Sequence, residues 1–427
     1  MAKRGAAALT ICSTAFVSLG HAQAKALGYP DLTIVTVPHP FGRHTRDQIR
    51  ELARTSAGNI VAMVARSATA GAAATVAAGD RAARVELADD VVAINRHYRE
   101  QGWTDGLPIV PPTVERVESM IRYVRRAPND IVSCIAPGFG AATIERIAVN
   151  AVMAGCEPEH LPVLIAAAEA VSARELNLQS IQVTTNPAAV WLVVNGPAVE
   201  RLGMNAGINC LGPGNWANAV LGRALRLILQ NIGGGTPGLM DRATQGQPGK
   251  YIFCCPENEA DSPWEPLHVE RGFRAEQSTV TVVGAEGTLN MNTHSKKADE
   301  LLRIFAETLA HPTSNDYRMG LGDPWIILGP EHAAVLHAGG LSKADVKRRL
   351  WEESKMRASR LGAMDMERMQ WERKPELGVV SPDDMIPICQ SPAHMGIVVS
   401  GGPGTHSVFV PSFGITRSVT REVIFPD

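Results

Sequence analysis

The sequence predicts an α/β (or α+β) protein in two parts: a fragment of a small Rossmann-like three-layer unit, followed by a larger mixed α/β domain. Three observations carry that expectation. Short apolar runs with strand spacing alternate with amphipathic helical stretches along most of the chain. Residues 57–84 are dominated by Ala with Thr, Ser and Gly and lack a stripe of large apolar side chains, so they read as a linker, part helical. Downstream of it, an apolar strand ending in a Gly-Pro turn recurs. The resulting division is 1–56, 57–84 and 85–427, and at 427 residues with 45% hydrophobic content the chain can bury a large core.

Residues 7–12 read as a strand, 17–27 as an amphipathic helix closed by Gly28, 32–37 as a second strand and 45–53 as a second helix. Two strands and two helices do not make a stable core alone, because a parallel sheet needs both faces covered and its edges paired. The first two dozen residues also have the basic start, apolar centre and A-x-A-like end of an export signal, ending at His21-Ala-Gln-Ala24. Against that reading, Cys12, Ser13, Thr14 and Ser18 interrupt the apolar run, which continues without a seam into the next turn and strand.

After the linker, residues 85–101 carry apolar side chains at helical spacing, and the prolines of Gly102-Trp-Thr-Asp-Gly-Leu-Pro-Ile-Val-Pro-Pro-Thr113 force an extended path. Thr113 is placed to cap the next helix. Trp191-Leu-Val-Val-Asn-Gly-Pro197 and Trp325-Ile-Ile-Leu-Gly-Pro330 each read as strand, turn and helix, the helices over 198–202 and 331–337. Ile397-Val-Val-Ser-Gly-Gly-Pro403 repeats the strand and turn without a clear helix. Such strands are expected to end on one edge, where helix N-termini offer amides to an anion.

Bulk composition excludes several classes. With 41 basic and 43 acidic residues, a net charge of −2, there is no electrostatic footprint for nucleic acid or an anionic membrane, and no run is long enough to cross a bilayer. Seven scattered cysteines do not form a secreted disulfide framework, so a reducing cytoplasm is expected, with export as the alternative if residues 1–24 are a signal. A homo-oligomer is compatible with the composition.

Several residue groups are candidates for chemistry. Cys156-Glu-Pro-Glu-His160 brings thiol, carboxylates and imidazole together, as a nucleophile with its base or as ligands for a divalent metal; the bland reading is a turn before a helix. In the stretch around Trp264, Pro263 and Pro266 predict a loop or extended strand with His268 and Glu270 on one face, suited to acid/base work, and Arg271 as a substrate clamp. Asn186, Asn195, Asn205, Asn209, Asn215 and Asn218 crowd a Gly-rich region, as tight turns or as amide recognition of a small polar molecule around Trp216, with Arg223 reaching a carboxylate. Asp105 lies in the Gly-Pro-rich segment, Lys250 can neutralise an anion, and His394 and His406 flank a Gly-rich turn. Asn231-Ile-Gly-Gly-Gly reads as a helix C-cap, and Cys254-Cys255 as packing, their side chains on opposite faces of a strand.

Gly102-Trp-Thr-Asp-Gly-Leu-Pro-Ile-Val-Pro-Pro-Thr113, Ala148-Val-Asn-Ala-Val-Met-Ala-Gly-Cys156, Thr184-Thr-Asn-Pro187, His268-Val-Glu-Arg-Gly-Phe273 and Gly401-Gly-Pro-Gly404 resemble the large C-terminal region of the UGSC family of selenoproteins and their cysteine homologues. Gln23-Ala-Lys-Ala-Leu-Gly28 and Val37-Pro-His-Pro40 resemble the segment downstream of the motif in that family's N-terminal domain. The motif itself, Sec/Cys-Gly-Ser-Cys, is missing from this sequence. The resemblance implies thiol or selenol redox chemistry, with the motif either on a separate subunit or upstream of Met1 behind a UGA codon read as a stop. The second is favoured because splitting the domain leaves unpaired strand edges on both fragments.

The expectation is therefore an enzyme or enzyme subunit for thiol- or selenol-dependent redox or bond-cleaving chemistry on a small polar substrate. A metal- or acid/base-dependent lyase or hydrolase using Cys156/His160 or His268/Glu270 is the first alternative, and a non-catalytic partner of a motif-bearing subunit the second.

Overall fold

A computed structural model describes residues 8–67 and 82–426. In the N-terminal unit, β1 (Leu9–Ser13), α1 (Val17–Ala26), β2 (Thr33–Val37) and α2 (Arg46–Ser67) follow the predicted order. β1 and β2 are parallel, with Leu9 opposite Thr33 and Ser13 opposite Val37. Val35, Val37 and Ala24 supply their buried face. α2 is longer than expected and runs past position 56 to Ser67, because Ala, Met, Val and Arg sustain a helix and Gly58 alone does not break it. Half of the Ala-rich linker, residues 68–81, lies outside the described residues.

The larger part begins with α3 (Val91–Glu100), which starts later than the 85–101 pattern implied because Asp90 caps it, accepting from the Val92 and Ala93 amides. Next come α4 (Val114–Val124), whose cap is Thr113, the hairpin β3 (Ile131–Ile135) and β4 (Gly140–Thr143), and then α5 (Ile144–Ala154), α6 (Leu161–Val171) and α7 (Leu178–Val183). β5 (Ala189–Asn195), α8 (Ala198–Arg201), α9 (Trp216–Asn231), β6 (Cys254–Pro256), α10 (Leu267–Glu270) and β7 (Ser278–Ala285) form the first strand–turn–helix block. The second block contains β8 (Leu289–Asn292), α11 (Ala298–Leu309), α12 (Asn315–Met319), β9 (Trp325–Leu328), α13 (Pro330–Ala338) and α14 (Lys343–Glu353). The chain ends with β10 (Met356–Arg357), α15 (Ala363–Leu377), β11 (Met385–Ile386), β12 (Gly396–Val399), β13 (His406–Val410) and β14 (Val419–Val423).

Two four-stranded mixed sheets organise these elements, ordered β6-β5-β7-β14 and β12-β9-β13-β8. Both have the same pattern: a parallel edge pair, then two antiparallel neighbours. The recurring Trp-to-Gly-Pro segment is therefore the visible trace of a repeated sheet. The fourth strands are exchanged, since β8 follows β7 but pairs with β13, and β14 follows β13 but pairs with β7. The crossing is sealed where Ala285 bridges Ser412.

Strand alternation assigns each sheet two faces. Val190, Leu192 and Val194 of β5 pack with α4, α5, α6 and α9, while Ile326 and Leu328 of β9 pack with α11, α13 and α14. The opposite faces meet each other through Trp191, Val193, Trp325, Ile327, Val398 and Val410. The result is four layers, helix–sheet–sheet–helix, an α/β architecture with mixed sheets.

The carboxyl ends of β5, β6, β12 and β9 converge as the Gly-Pro pattern predicts. The Glu257 amide donates to Val194 O, the Asn258 amide to Val399 O and the Ser400 amide to Leu328 O. The turns are tight in the same way in both sheets: a Cβ at Gly196 would lie 2.3 Å from Gln277 O, and one at Gly329 2.3 Å from His406 O. The helix starts are not open to an anion, however, because the Ser278 hydroxyl accepts from the Ala198 amide and the Ser407 hydroxyl from the Gly329 amide.

Asp316 sits beside the strand crossing, fully buried, and accepts from the Ser412 amide and from the Ser314 and Ser412 hydroxyls. Burial raises its carboxyl to about 8, with Glu286 adding to the shift and the serine donors opposing it. Its folded value lies above the ~3.9 of an unfolded Asp, so the native state binds the extra proton between those limits and loses stability as pH rises from about 4 to 8. The urea midpoint of the wild type should fall relative to that of Asp316→Asn across this window. Parallel curves for the two proteins would refute the assignment.

Candidate functional site

A cleft of about 580 Å³ opens beside α9, with Asp105, Arg226, Asp241 and Lys250 in its lining. Helical spacing puts Arg223, Arg226 and Gln230 on one face of a helix whose only other polar side chains are Asn218 and Asn231. Gln230 Nε2 donates to Gly102 O and Thr104 O at 3.1 and 2.8 Å, and Asn231 Nδ2 to Trp103 O at 2.9 Å, which pins the Gly-Pro-rich segment against the helix. Asp105 is thereby brought to Arg223, whose Nε and Nη2 donate to its two oxygens at 2.8 and 2.9 Å.

The far wall is the loop that follows α9. Lys250 Nζ lies 2.8 and 2.7 Å from the two oxygens of Asp241, and Arg226 Nη2 lies 3.9 Å from the same carboxylate. All three side chains are 13% exposed or less. Burial pushes the Arg226 guanidinium and the Lys250 ammonium below their usual values, with Asp241 opposing the shift in both. Asp105 is cancelled by Arg223, while Asp241 is shared by two cations. Three cations against two carboxylates leave one positive charge in a partly desolvated setting, which favours an anionic ligand. Gln247 and Tyr251 add neutral polar groups to the wall.

The N-terminal unit is joined to the residue beside Asp241 by the segment that follows β1. Arg242, next to Asp241, donates through Nη2 to Ala15 O at 2.7 Å and places its guanidinium carbon 5.7 Å from the Phe16 ring centroid. Ser13 Oγ and His39 Nδ1, at the ends of β1 and β2, are 3.1 Å apart, and the His39 and Phe16 rings are in edge contact at 5.7 Å. In open parallel sheets, ligands and reactive groups sit outside the carboxyl ends of the strands.

Of the candidates read from the sequence, Asp105, Arg223 and Lys250 come together here. The others lie elsewhere. Cys156 is buried with Sγ 3.5 Å from Val220 O, and burial pushes its thiol well up. His160 Nδ1 accepts from the Glu157 amide at 3.1 Å, its ring meets half-exposed Trp216 at 5.1 Å, and burial pulls the imidazole down. This is the turn-before-a-helix reading. Among the described residues no group of three or more His, Cys, Asp or Glu side chains is arranged to hold a metal ion.

His268 and Glu270 do not share a strand face. They lie on the helical turn α10, because Pro266 precedes the helix and Pro263 is further upstream, where neither removes a needed amide. His268 is buried, with Nε2 3.4 Å from Ala275 O and Nδ1 3.6 Å from Glu259 Oε1. Glu270 instead faces Lys343 at 3.2 Å and Lys347; burial pushes its carboxyl up, but the two lysines outweigh that and hold it low. Arg271 donates to Thr420 Oγ1 and Ser418 Oγ, both at 2.7 Å, and lies over the Trp325 ring, so it fastens β14.

Asn186 donates to Glu286, Asn209 adopts a left-handed conformation and donates to Pro213 O at 2.6 Å, and Asn215 caps α9. His406 starts β13 with Nδ1 3.1 Å from Asn290 Oδ1, whereas His394 precedes β12 at its other end, so the two imidazoles do not face a common site. Arg226, Gln230, Asp241 and Arg242 carry no motif that singles them out in the sequence. The polar stripe at positions 223, 226 and 230 of a mostly apolar helix is the signal that marks the first two.

The model of the UGSC family matches residues 1–66, the segment that holds β1, α1, β2 and nearly all of α2, and the rest of the chain lies outside that match. No curated protein matches the chain. Among the described residues no helix is long and apolar enough to cross a membrane.

Proposed function

We propose that this chain is an enzyme, or the substrate-binding part of one, in which a thiol or selenol lying outside this sequence, brought to the carboxyl ends of β1 and β2, acts on a small polar anion held in the α9 cleft. The observation that carries the reading is the junction at Asp241-Arg242: one residue belongs to the charged cleft and the next grips the β1 end of the unit that matches the UGSC family. Arg226 and Lys250 bind the anion, with Asp241 setting their spacing. A thiolate or selenolate is the nucleophile, and a neighbouring cationic field favours its ionised form. Gln230 and the Asp105–Arg223 pair hold the wall that excludes water.

Anion titration tests the cleft directly. The unfolding midpoint of the full chain should rise by a few degrees with inorganic phosphate or malonate at concentrations well above their dissociation constants. The double substitution Arg226→Gln, Lys250→Gln should remove that rise. A wild type indifferent to both anions, or a double variant that responds as the wild type does, would refute the assignment.

A further inference from the structure

Between α9 and the start of β5 lies a second space, a cavity of about 20 Å³, with room for about one water-sized atom. Arg226 and Lys250 line it as they line the cleft, so the same two cations face both spaces. Ala189, Leu225 and Leu229 give it apolar wall, and Gln182, at the end of α7, gives it a side-chain amide. Gln182 is 3% exposed, and its Nε2 has no hydrogen-bond partner among the described residues. A Cβ at Gly235 would lie 2.7 Å from that nitrogen, while Gly235 O accepts from Arg226 Nη2 at 3.3 Å, so the amide and the guanidinium meet around one glycine.

A buried N–H without an acceptor costs free energy, and the cost is removed when an acceptor arrives. We propose that Gln182 is a specificity-determining residue of the cleft, its Nε2 donating to one oxygen of the bound anion, which enters the small cavity beside Arg226 and Lys250. The inference rests on the anion-binding reading of the cleft and deepens it by defining the end of the ligand that enters first.

Two features set the ligand class. The cavity admits one atom, so the leading oxygen carries no substituent, as in a carboxylate or a phosphate with a free terminal oxygen; esterification of that oxygen is excluded by size. Arg226, Lys250 and Gln182 Nε2 all donate, so an amide or ammonium group at that end of a ligand would set N–H against N–H. Because the Gln182 amide is neutral, it adds a hydrogen bond to the anion without burying a further charge.

The test follows the thermal unfolding midpoint of the full chain against inorganic phosphate in the wild type, Gln182→Leu and Gln182→Glu. Phosphate should bind Gln182→Leu about tenfold more weakly than the wild type, the loss of one hydrogen bond to a charged group. Gln182→Glu keeps the shape of the side chain and puts a carboxylate oxygen where the anion's oxygen would be held. At neutral pH its midpoint without phosphate should exceed that of the wild type, and phosphate should raise it no further, which a merely structural role for Gln182 would not produce. Wild-type phosphate affinity in Gln182→Leu, or a Gln182→Glu protein that is destabilised and still responds to phosphate, would overturn the assignment of Gln182 while leaving the anion cleft in place. A wild type indifferent to phosphate would overturn both.

Discussion

Trp325→Ala is expected to lower the unfolding free energy by about 3–5 kcal/mol, the range for removing a fully buried aromatic side chain. Trp325 lies at the centre of the layer between the two sheets, with its ring 5.6 Å from Trp191 in edge contact and the Arg271 guanidinium 5.3 Å away. A Cβ at Gly396 would fall 2.0 Å from the indole, so β12 is shaped around this ring. Trp191→Ala should cost a similar amount, and the double substitution less than the sum, because each variant already empties part of the shared space. Urea denaturation of the three variants checks this; strictly additive losses, or a Trp325→Ala cost below about 1 kcal/mol, would contradict the shared layer.

Asp241→Ala is expected to be almost as damaging, and for a different reason. Lys250 and Arg226 would keep their burial and lose the carboxylate between them, and breaking a buried ion pair on one side typically costs about 3–5 kcal/mol. The two cations would then attract a replacement anion. Added phosphate should therefore recover more stability in Asp241→Ala than in the wild type, and this differential rescue separates a charge effect from a packing effect. Equal responses in the two proteins would mean that the residue acts only through packing.

The parts of this architecture that are legible in the sequence are those set by local pattern. The N-terminal strands and helices, the Thr113 cap and the Trp-to-Gly-Pro strands all follow from side-chain period and turn chemistry. The end of α2 escapes that reading because an Ala-rich helix has no apolar stripe to mark where it stops. His268 reads as part of a strand only if the rule for proline inside a helix is applied to a proline that merely precedes one. The exchange of β8 and β14 between sheets is a pairing across more than a hundred residues, which no local signal encodes.

The site divides in the same way. Arg223 and Asp105 carry a chemical signal as single residues, but their bidentate pairing joins positions 118 apart, and its effect is to cancel both charges. What remains is the surplus shared by Arg226 and Lys250, visible only once Asp241 is seen between them.

The most direct measurement of the central claim is the rate at which the motif thiol or selenol implied by the UGSC resemblance, in the native assembly that carries it, is alkylated by anionic iodoacetate and by neutral iodoacetamide, with this chain as wild type and as Arg226→Gln, Lys250→Gln. If that group works at the cationic cleft, the iodoacetate-to-iodoacetamide rate ratio should fall about tenfold in the double variant at low ionic strength. An unchanged ratio would place the chemistry away from the cleft and contradict the account.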